Sequence, residues 1–577
     1  MNCLYLKRII LFTTSIVIVC SVLGKELQTT QQGDSILKRE MFLEAEYTPS
    51  IRDANKVNAL PKVEDPKPVK ATIEYASWAI ATPPDPEVVT LETEYFESES
   101  MLYDKKGYVT LGGGNLLNIR GAAGYEAINT KHDFLRLSIN HFSTNGNANY
   151  VQSDAKEKAK LNDNLFHTFY KHRFNQLDLN AFVKYGYTGF NYYGDNLGMD
   201  IPKSMQVFQS IKPGLSIKST YTENIDYEAA ISYTYFTKKY GQSEINDGLK
   251  ESDVFTTFQL RKALDNFKLG LSFGMHNLFY QTNENEPDIT DYSAFSITPF
   301  VETSGEDKIW KIRLGANLNL ATYGNRKFSI APDLLAEYDL HHGTWLYFHA
   351  NGGRRINTQS QTAIENRYLN PAIRLADSFI LVDTQLGIKT ASLKQWFFNA
   401  YLRYQKTKDQ HFFFRNDNHD NTFSNAFDAG YYDKSDLVQL GGRIAFNHRD
   451  KVNLSLQLAK NFWDTKYVDV TGNKITTAIN APEMELNTSV EVAILPNFKT
   501  NIGFEWQSGR YGLSNSLLEP QKMGDIQNVT FRANYIFNRT FSIYLQLNNL
   551  LNKNYDYWYS YPEQGFSALA GFSFMFH

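Results

Sequence analysis

The sequence predicts an all-β protein: a transmembrane antiparallel β-barrel of about 22 strands that follows an extended N-terminal leader. Aromatic residues make up 14% of the 577 residues, yet the mean hydropathy is −0.41, so apolar and polar residues must be finely interleaved. From residue 106 to the C-terminus the interleaving has a period of two, and aromatic residues gather near the ends of the alternating segments. Because successive strand side chains point to opposite faces, each segment has one apolar and one polar face.

Charge and cysteine content exclude several classes of function. The chain has 58 basic and 62 acidic residues and a net charge of −4, so a nucleic-acid partner is not expected. Its two cysteines, Cys3 and Cys20, both lie in the first twenty residues. A disulfide framework, a cysteine-ligated zinc site and a catalytic cysteine are therefore not expected in the mature protein.

Residues 1–24 have the pattern of a secretory signal peptide. Lys7 and Arg8 precede an apolar stretch over residues 9–22, and Gly24 follows as a small residue at the cleavage site. A lipid anchor at Cys20 is the less favoured alternative, because Val19 stands where a lipoprotein signal has a small residue.

Residues 25–105 are predicted to be a proline-containing leader, in the periplasm or in the barrel lumen. Proline favours extended backbone without ladder hydrogen bonds. One interpretation is a flexible periplasmic segment. The other is a strap that enters a cavity of the barrel, because the leader carries apolar residues that a linker does not need. The prolines are Pro61, Pro66, Pro68, Pro83, Pro84 and Pro86, and the apolar residues include Ile73, Tyr75, Trp78, Val88, Val89 and Leu91.

Residues 106–577 are predicted to form the barrel. Many alternating segments are ten or more residues long, which exceeds the usual strand of a soluble sandwich. Their polar faces carry charged and amide residues, as an aqueous lumen would, and the aromatic clusters are typical of girdles at the membrane interfaces. One segment alternates Trp310, Ile312, Leu314, Ala316, Leu318 and Leu320 with polar or small residues, and the aromatic clusters include 166–170, 412–414 and 555–561.

The connections between segments alternate between short and long. Short periplasmic turns and longer extracellular loops are the rule in bacterial barrels, which orients the chain. A further hairpin is needed within residues 106–129, with Gly112–Asn115 as its turn, and it brings the count to 22 strands; two misplaced connections would make it 20. The short turns are near 130–133, 174–176, 218–225, 264–266, 303–307, 341–343, 391–394, 448–451, 495–498 and 538–540.

The C-terminus resembles the final hairpin of TonB-dependent receptor barrels. The matching residues are Leu547-Asn548-Asn549-Leu550-Leu551-Asn552-Lys553-Asn554-Tyr555, then Tyr559-Ser560-Tyr561-Pro562-Glu563-Gln564-Gly565, and a last strand with Phe572, Phe574 and Phe576. The chain departs from the family pattern by ending in His577. Its opening segment, residues 107–115, resembles the start of plug-less barrels of this type that are common in Bacteroidota.

The resemblance implies a Gram-negative outer-membrane protein, surrounded by lipid and in contact with other envelope proteins. Receptors of this family carry a TonB box and then a plug domain before the barrel. Here residues 87–91 are only faintly like a TonB box, and about fifteen residues separate them from the first strand. We therefore expect neither a plug nor TonB binding.

Two functions follow from an unplugged barrel of this size. The first is a structural or accessory component of an envelope transport or assembly complex, closed by its leader, its long loops or a partner. The second is a passive or gated channel for a bulky solute, with Arg136, Lys184, Arg313 and Glu505 facing the lumen.

An enzyme is not expected, because the sequence contains no nucleophile elbow, P-loop or dinucleotide fingerprint. No catalytic residue, cofactor or metal site is predicted. Residues 416–420 (Asn-Asp-Asn-His-Asp) are rich in oxygen ligands but lack the glycine and distal glutamate of a calcium loop. His341 and His342 are expected to be turn residues. The aromatic residues of 190–194 and 555–561 are expected to form an interface girdle rather than a binding surface.

Overall fold

The computed structural model describes residues 105–577 except for short gaps. The predicted signal peptide and all but the last residue of the predicted leader lie outside the described residues. The gaps are 152–154, 196–203, 221–224, 242–246, 282–288, 306–307, 325, 341–342, 394, 418–422, 424, 449–450, 470–471 and 517–518.

Strands make up most of the described chain. In order they are β1 (Gly107–Gly114), β2 (Ile119–Asn129), β3 (Asp133–Asn149), β4 (Lys156–Arg173), β5 (Leu177–Phe190), β6 (Gln206–Ser219), β7 (Ile225–Lys238), β8 (Lys250–Ala263), β9 (Lys268–Gln281), β10 (Tyr292–Ser304), β11 (Trp310–Ala321), β12 (Phe328–Asp339), β13 (Thr344–Arg355), β14 (Ser378–Leu393), β15 (Trp396–Lys408), β16 (Gln410–Arg415), β17 (Phe427–Tyr432), β18 (Lys434–His448), β19 (Val452–Val468), β20 (Lys474–Ile475), β21 (Met484–Leu495), β22 (Phe498–Ser508), β23 (Tyr511–Gly512), β24 (Gln521–Lys522), β25 (Ile526–Ile536), β26 (Phe541–Asn548), β27 (Asp556–Trp558), β28 (Tyr561–Pro562) and β29 (Ser567–Phe576). A helix, α1 (Gln359–Glu365), follows β13, and a short 3₁₀ turn (Asn115–Leu117) follows β1.

The barrel consists of 22 of these strands, each antiparallel to its neighbours. The other seven, β16, β17, β20, β23, β24, β27 and β28, form short ladders in the loops. β1 pairs with β29 from Gly107 opposite Phe576 to Gly114 opposite Leu569, so the first and last strands close the ring. Closure leaves no free sheet edge, which a sheet in lipid requires. The predicted antiparallel barrel and its count of 22 strands are confirmed.

The turns lie where the alternation predicts them, with one correction. The extra hairpin within residues 106–129 exists, but Gly112, Gly113 and Gly114 belong to β1, and the turn lies at Asn115–Leu117. Two of these glycines are needed inside the strand because of close approach: a Cβ at Gly112 would overlap the Tyr544 hydroxyl, and a Cβ at Gly114 would overlap the carbonyl oxygen of Ala568 on β29. The chain reverses instead through Leu116 and Leu117, which have φ values of 55° and 52°.

The two faces of the wall differ as the period of two requires. Large apolar side chains alternate along the outer face and remain exposed, as Leu137 and Ile139 do on β3 and Val183 and Tyr185 on β5. Charged and amide side chains occupy the inner face. Within the described ranges, no helix is long and apolar enough to cross a membrane.

Six aromatic side chains on the inner face each lie over a glycine directly opposite on the neighbouring strand. A Cβ at any of these glycines would overlap the aromatic side chain. Pairing a ring with a cross-strand glycine covers backbone that would otherwise be bare and fixes the register of the two strands. The pairs are Tyr108–Gly124, Phe182–Gly214, Phe300–Gly270, Tyr347–Gly387, Tyr401–Gly441 and Tyr544–Gly571.

Candidate functional site: a cap of loops across the barrel mouth

Loops from opposite sides of the ring meet at one mouth of the barrel. The hairpin β16–β17 follows β15, and the connection from β5 to β6 lies ten strand positions away in the ring of 22. Asn425, beside that hairpin, nevertheless donates from Nδ2 to the carbonyl oxygens of Tyr192 at 3.2 Å and Gly194 at 3.1 Å in the β5–β6 connection. A contact between such distant connections requires the hairpin to cross the mouth.

Four further contacts extend this crossing to the loops that follow β13, β22 and β26. We call the described residues of 190–195, 356–377, 409–433, 509–525 and 549–566 the loop cap. The contacts run from Tyr192 Oη to Leu369 O at 3.3 Å, from Tyr193 Oη to Pro562 O at 3.1 Å, from Arg415 N to Leu513 O at 2.8 Å and from Tyr561 Oη to Asn425 O at 3.0 Å.

The loop cap has its own apolar core. The rings of Tyr368 and Tyr561 stack with centroids 4.2 Å apart, and Phe413 meets the edge of Trp558 at 5.4 Å. Two buried residues of this core, Ala148 on β3 and Ala159 on β4, belong to the wall. Those from the loop cap are Tyr193, Leu369, Leu375, Phe413, Phe427, Met523, Trp558, Tyr559 and Tyr561. Side chains buried against protein cannot face lipid, so the predicted interface girdle is wrong for the buried aromatic residues of 190–194, 412–414 and 555–561. They are Phe190, Tyr192, Tyr193, Phe412, Phe413, Tyr555, Trp558, Tyr559 and Tyr561.

A buried ion pair ties the loop cap to the wall. Arg354 at the end of β13 lies 3.1 Å from Asp377, and both side chains are less than a tenth exposed. Tyr292 on β10 donates its hydroxyl to the same carboxylate at 2.7 Å. Arg374 lies over the Tyr292 ring, with its guanidinium carbon 4.4 Å from the centroid. The segment after β13 is thereby anchored three strands away, at β10.

A second anchor lies at the start of α1. Both carboxylate oxygens of Glu251, on β8, accept the backbone N–H of Gln359, at 2.8 and 3.0 Å. Thr358 caps the helix by accepting from Gln361 N. At the other end, the Glu365 carboxylate lies 2.8 Å from His411 Nε2; burial opposes ionisation, but the contact with His411 lowers the pKa of Glu365.

Replacing Asp377 by alanine is expected to loosen residues 356–377. Among the described residues, Arg354 would keep one acceptor for its buried guanidinium, the carbonyl oxygen of Arg326, and an uncompensated buried charge costs about 3–5 kcal/mol. Protease cleavage within this segment of the folded barrel should therefore accelerate. The pair Lys460–Glu483 is much more exposed, so the Glu483→Ala control should change stability by only about 0–1 kcal/mol. Equal cleavage of the two variants would show that the pair does not anchor the cap.

The described part of the predicted oxygen-rich segment is engaged within the protein. Asn515 Oδ1 accepts from Asp417 N at 2.7 Å, and Asn515 Nδ2 donates to Asn416 Oδ1 at 2.9 Å. Ser514 and Ser516 donate to Asp417, which also pairs with Arg415 at 2.7 Å. These oxygens hold β16 to the loop after β22. The other three residues of the segment, 418–420, lie outside the described residues.

Arg510 contacts the last long loop, residues 549–566. It donates from Nη1 to Asp556 O at 2.8 Å and also to Tyr557 O. Burial raises the pKa of the Asp556 carboxyl to about 6, and the hydrogen bond from Ser560 N and the charges of Arg510 and Arg415 offset only part of that rise. Burial raises the pKa of Glu563 in the same loop as well.

The raised pKa of Asp556 predicts that residues 549–566 are held more tightly in acid. Because the pKa in the folded state exceeds the ordinary 3.8, the stabilisation is complete below that value and is lost as the pH rises through about 6. The loss amounts to at most about 3 kcal/mol. Hydrogen exchange, corrected for intrinsic rates, should show less protection of this loop at pH 7.5 than at pH 5. Asp556→Asn should reduce the difference, and an unchanged difference would rule out Asp556 as its source.

The four lumenal residues predicted from sequence lie on the inner face but do not form one site. Arg136 pairs with Glu126 at 2.7 Å, and Arg313 with Asp333 at 2.8 Å while lying over the Phe300 ring. Lys184 lies on β5, and Glu505 lies on β22 opposite Asn487. His341 and His342 fall in a gap between the described residues. Among the residues that are described, no group of three or more His, Cys, Asp or Glu side chains is arranged to hold a metal ion.

Comparison with known proteins shows the fold. No family model and no curated protein matches the chain. The siderophore receptor PirA from Acinetobacter baumannii is similar with a TM-score of 0.62 and 12% identity, over 82% of this chain and 80% of that chain. The FrpB iron transporter from Neisseria meningitidis has a TM-score of 0.62 and 9% identity, over 83% of each chain. The ferric-catecholate import receptor Fiu from E. coli K12 has a TM-score of 0.58 and 10% identity, over 82% of each chain.

These likenesses confirm the expected receptor-type barrel as a fold. A closed antiparallel barrel with an exposed apolar exterior can satisfy its backbone hydrogen bonds in lipid. The chain is therefore a β-barrel protein of the Gram-negative outer membrane.

Proposed function

We propose that this protein is an accessory component of an envelope transport or assembly complex, with its mouth closed by its own loop cap. The observation that carries the proposal is the hairpin β16–β17, which reaches the β5–β6 connection across the mouth and is buried there. A cap with an apolar core and buried ion pairs is built to stay in place rather than to move freely. Its outer surface would be the part available to partners.

The proposal includes the arrangement predicted for the rest of the chain. Residues 1–24 would direct secretion, residues 25–105 would form a leader in the periplasm or the lumen, and the loop cap would face the cell exterior. In this proposal the barrel has no plug domain of the receptor type and does not depend on TonB. We propose no catalytic function.

A gated channel for a bulky solute is the second candidate. It is supported by the charged inner face of the barrel and by the likeness in fold to proteins described as siderophore receptors and an iron transporter. In that case the loop cap would be a gate, and its anchors at Asp377 and Glu251 would have to open for passage.

Gentle detergent extraction of the native protein separates these candidates. The accessory function predicts stoichiometric envelope proteins in the mass spectrum of the extract and little current from the mature protein alone in a planar lipid bilayer. Large, steady single-channel currents from a preparation without partners would overturn it in favour of the channel.

A further inference from the structure

Many charged side chains on the inner face of the barrel are paired with a side chain of opposite charge on a nearby strand. Each of these pairs joins a basic and an acidic side chain within 4 Å. They include Arg136–Glu126, Lys171–Asp178, Lys218–Glu228, Arg261–Asp226, Lys311–Glu302, Arg313–Asp333, Lys389–Glu337 and Arg403–Asp383.

Lys184 and Lys212 depart from this pattern. They lie directly opposite each other on β5 and β6, and His167 on β4 lies opposite Lys184. Lys184 falls between the exposed apolar residues Val183 and Tyr185, so its side chain points the other way, into the lumen. We call His167, Lys184 and Lys212 the basic row.

Nothing acidic compensates the two lysines within the described part of the chain. Neither ammonium group makes an ion pair or a hydrogen bond with a described residue, and the Nζ atom of Lys184 lies 5.8 Å from the centroid of the Phe182 ring. Like charges directly opposite on neighbouring strands are destabilising. An anionic group bound between them would remove that cost.

The chain itself supplies a matching anionic segment. Residues 85–104 contain no lysine or arginine, and they end just before β1. Their seven acidic residues are Asp85, Glu87, Glu92, Glu94, Glu97, Glu99 and Asp104. Four strand spacings separate β1 from β5, about 20 Å along the wall, whereas twenty extended residues span up to about 70 Å. The segment can therefore reach the basic row from its attachment point.

We propose that the acidic segment 85–104 binds the basic row inside the lumen. The binding is electrostatic and multivalent: carboxylates spaced along the segment lie against the lysines, and the tether to β1 keeps their local concentration high. This proposal rests on the proposed function, in the form in which the leader lies in the lumen, and it specifies where in the barrel the leader binds.

Carbodiimide cross-linking of the mature protein tests this placement, because the reagent joins lysine amines to carboxylates that touch. The expected result is cross-links from Lys184 and Lys212 to acidic residues of 85–104, diminished by high salt. Cross-links of the segment to other lysines in equal yield, or none to the basic row, would overturn the proposal.

A glutamate-specific protease gives a second readout on the folded barrel. Cleavage within residues 85–104 should be slow in the native protein and about tenfold faster or more in Lys184→Gln/Lys212→Gln, because cleavage tracks the fraction of time the segment is free. Lys406→Gln/Lys434→Gln removes the same charge, but Lys406 lies on the outer face, with the exposed Tyr404, and Lys434 opens the neighbouring strand β18. Equal cleavage in the two double variants would refute the proposal. Neither experiment depends on partner proteins or on the current through the barrel. The accessory function can therefore be refuted while binding of segment 85–104 to the basic row is supported, and the binding can be refuted while the accessory function is supported.

Discussion

Replacing residues 410–432 by a short Gly/Ser linker is expected to turn the barrel into a large open pore. The deletion removes the hairpin that crosses the mouth, including Phe413, Phe427 and Asn425, while its flanking strands β15 and β18 are already paired at Thr407 and Ser435. Porins with fewer strands leave an aqueous channel, so conductance should rise on the order of tenfold. Planar-bilayer recordings and the sensitivity of cells to large antibiotics measure the change.

A control deletion distinguishes the loss of the hairpin from general damage. In another loop, Gly472 N donates to Asp469 O at 3.0 Å, and replacing residues 469–473 there leaves the cap core in place. This variant should behave like the native protein. If the 410–432 deletion folds and still passes no current, then something other than the loop cap closes the barrel.

Gly571→Val is expected to prevent the barrel from closing. Gly571 lies on the last strand, and a Cβ there would overlap both the carbonyl oxygen of Leu111 on the first strand and the ring of Tyr544. Overpacking of a side chain alone costs about 1–3 kcal/mol, and here backbone must move as well. Folded protein should be lost in heat-modifiability gels, where a closed barrel migrates faster than an unfolded chain.

Gly113 provides the matched control where the first and last strands, β1 and β29, pair. It lies on β1 opposite Ala570, next to Gly571 along β29, but a Cβ built there meets no atom within 4 Å. Valine suits a strand, so Gly113→Val should change stability by less than about 1 kcal/mol. Equal losses of folded protein in the two variants would mean that neither face of the β1–β29 pairing tolerates a side chain. That result would contradict the steric explanation.

The wall of the barrel could be predicted because lipid contacts one face and water the other, so apolar and polar residues alternate along each strand. In β11, the alternation from Trp310 to Leu320 records lipid on one side and water on the other, so the strand and its faces follow from local sequence. The sequence places the first turn at Gly112–Asn115 because glycines usually mark turns, whereas Gly114 is needed for close approach to the distant strand β29.

The loop cap could not be predicted, because its composition fits two environments. The aromatic residues of 555–561 suit a membrane interface and a protein core equally, and no period reveals which one they occupy. Their partners are also remote: Tyr193 contacts Pro562, and Asn425 contacts Tyr561. A signal did exist in arginines of the same loops, such as Arg415 and Arg510, because a lipid-facing girdle gives a buried arginine no partner. Here Arg415 pairs with Asp417, and Arg510 donates to the carbonyl oxygen of Asp556.

The rings that cover glycines on the inner wall also determine how much room the barrel leaves. A tyrosine or phenylalanine that stood upright from each of these six positions would project toward the axis and narrow the bore. Laid flat in the hollow above a glycine, the same side chain adds little thickness. At these six positions the wall therefore stays thin, and the aromatic rings take less of the width of the bore than six upright rings would.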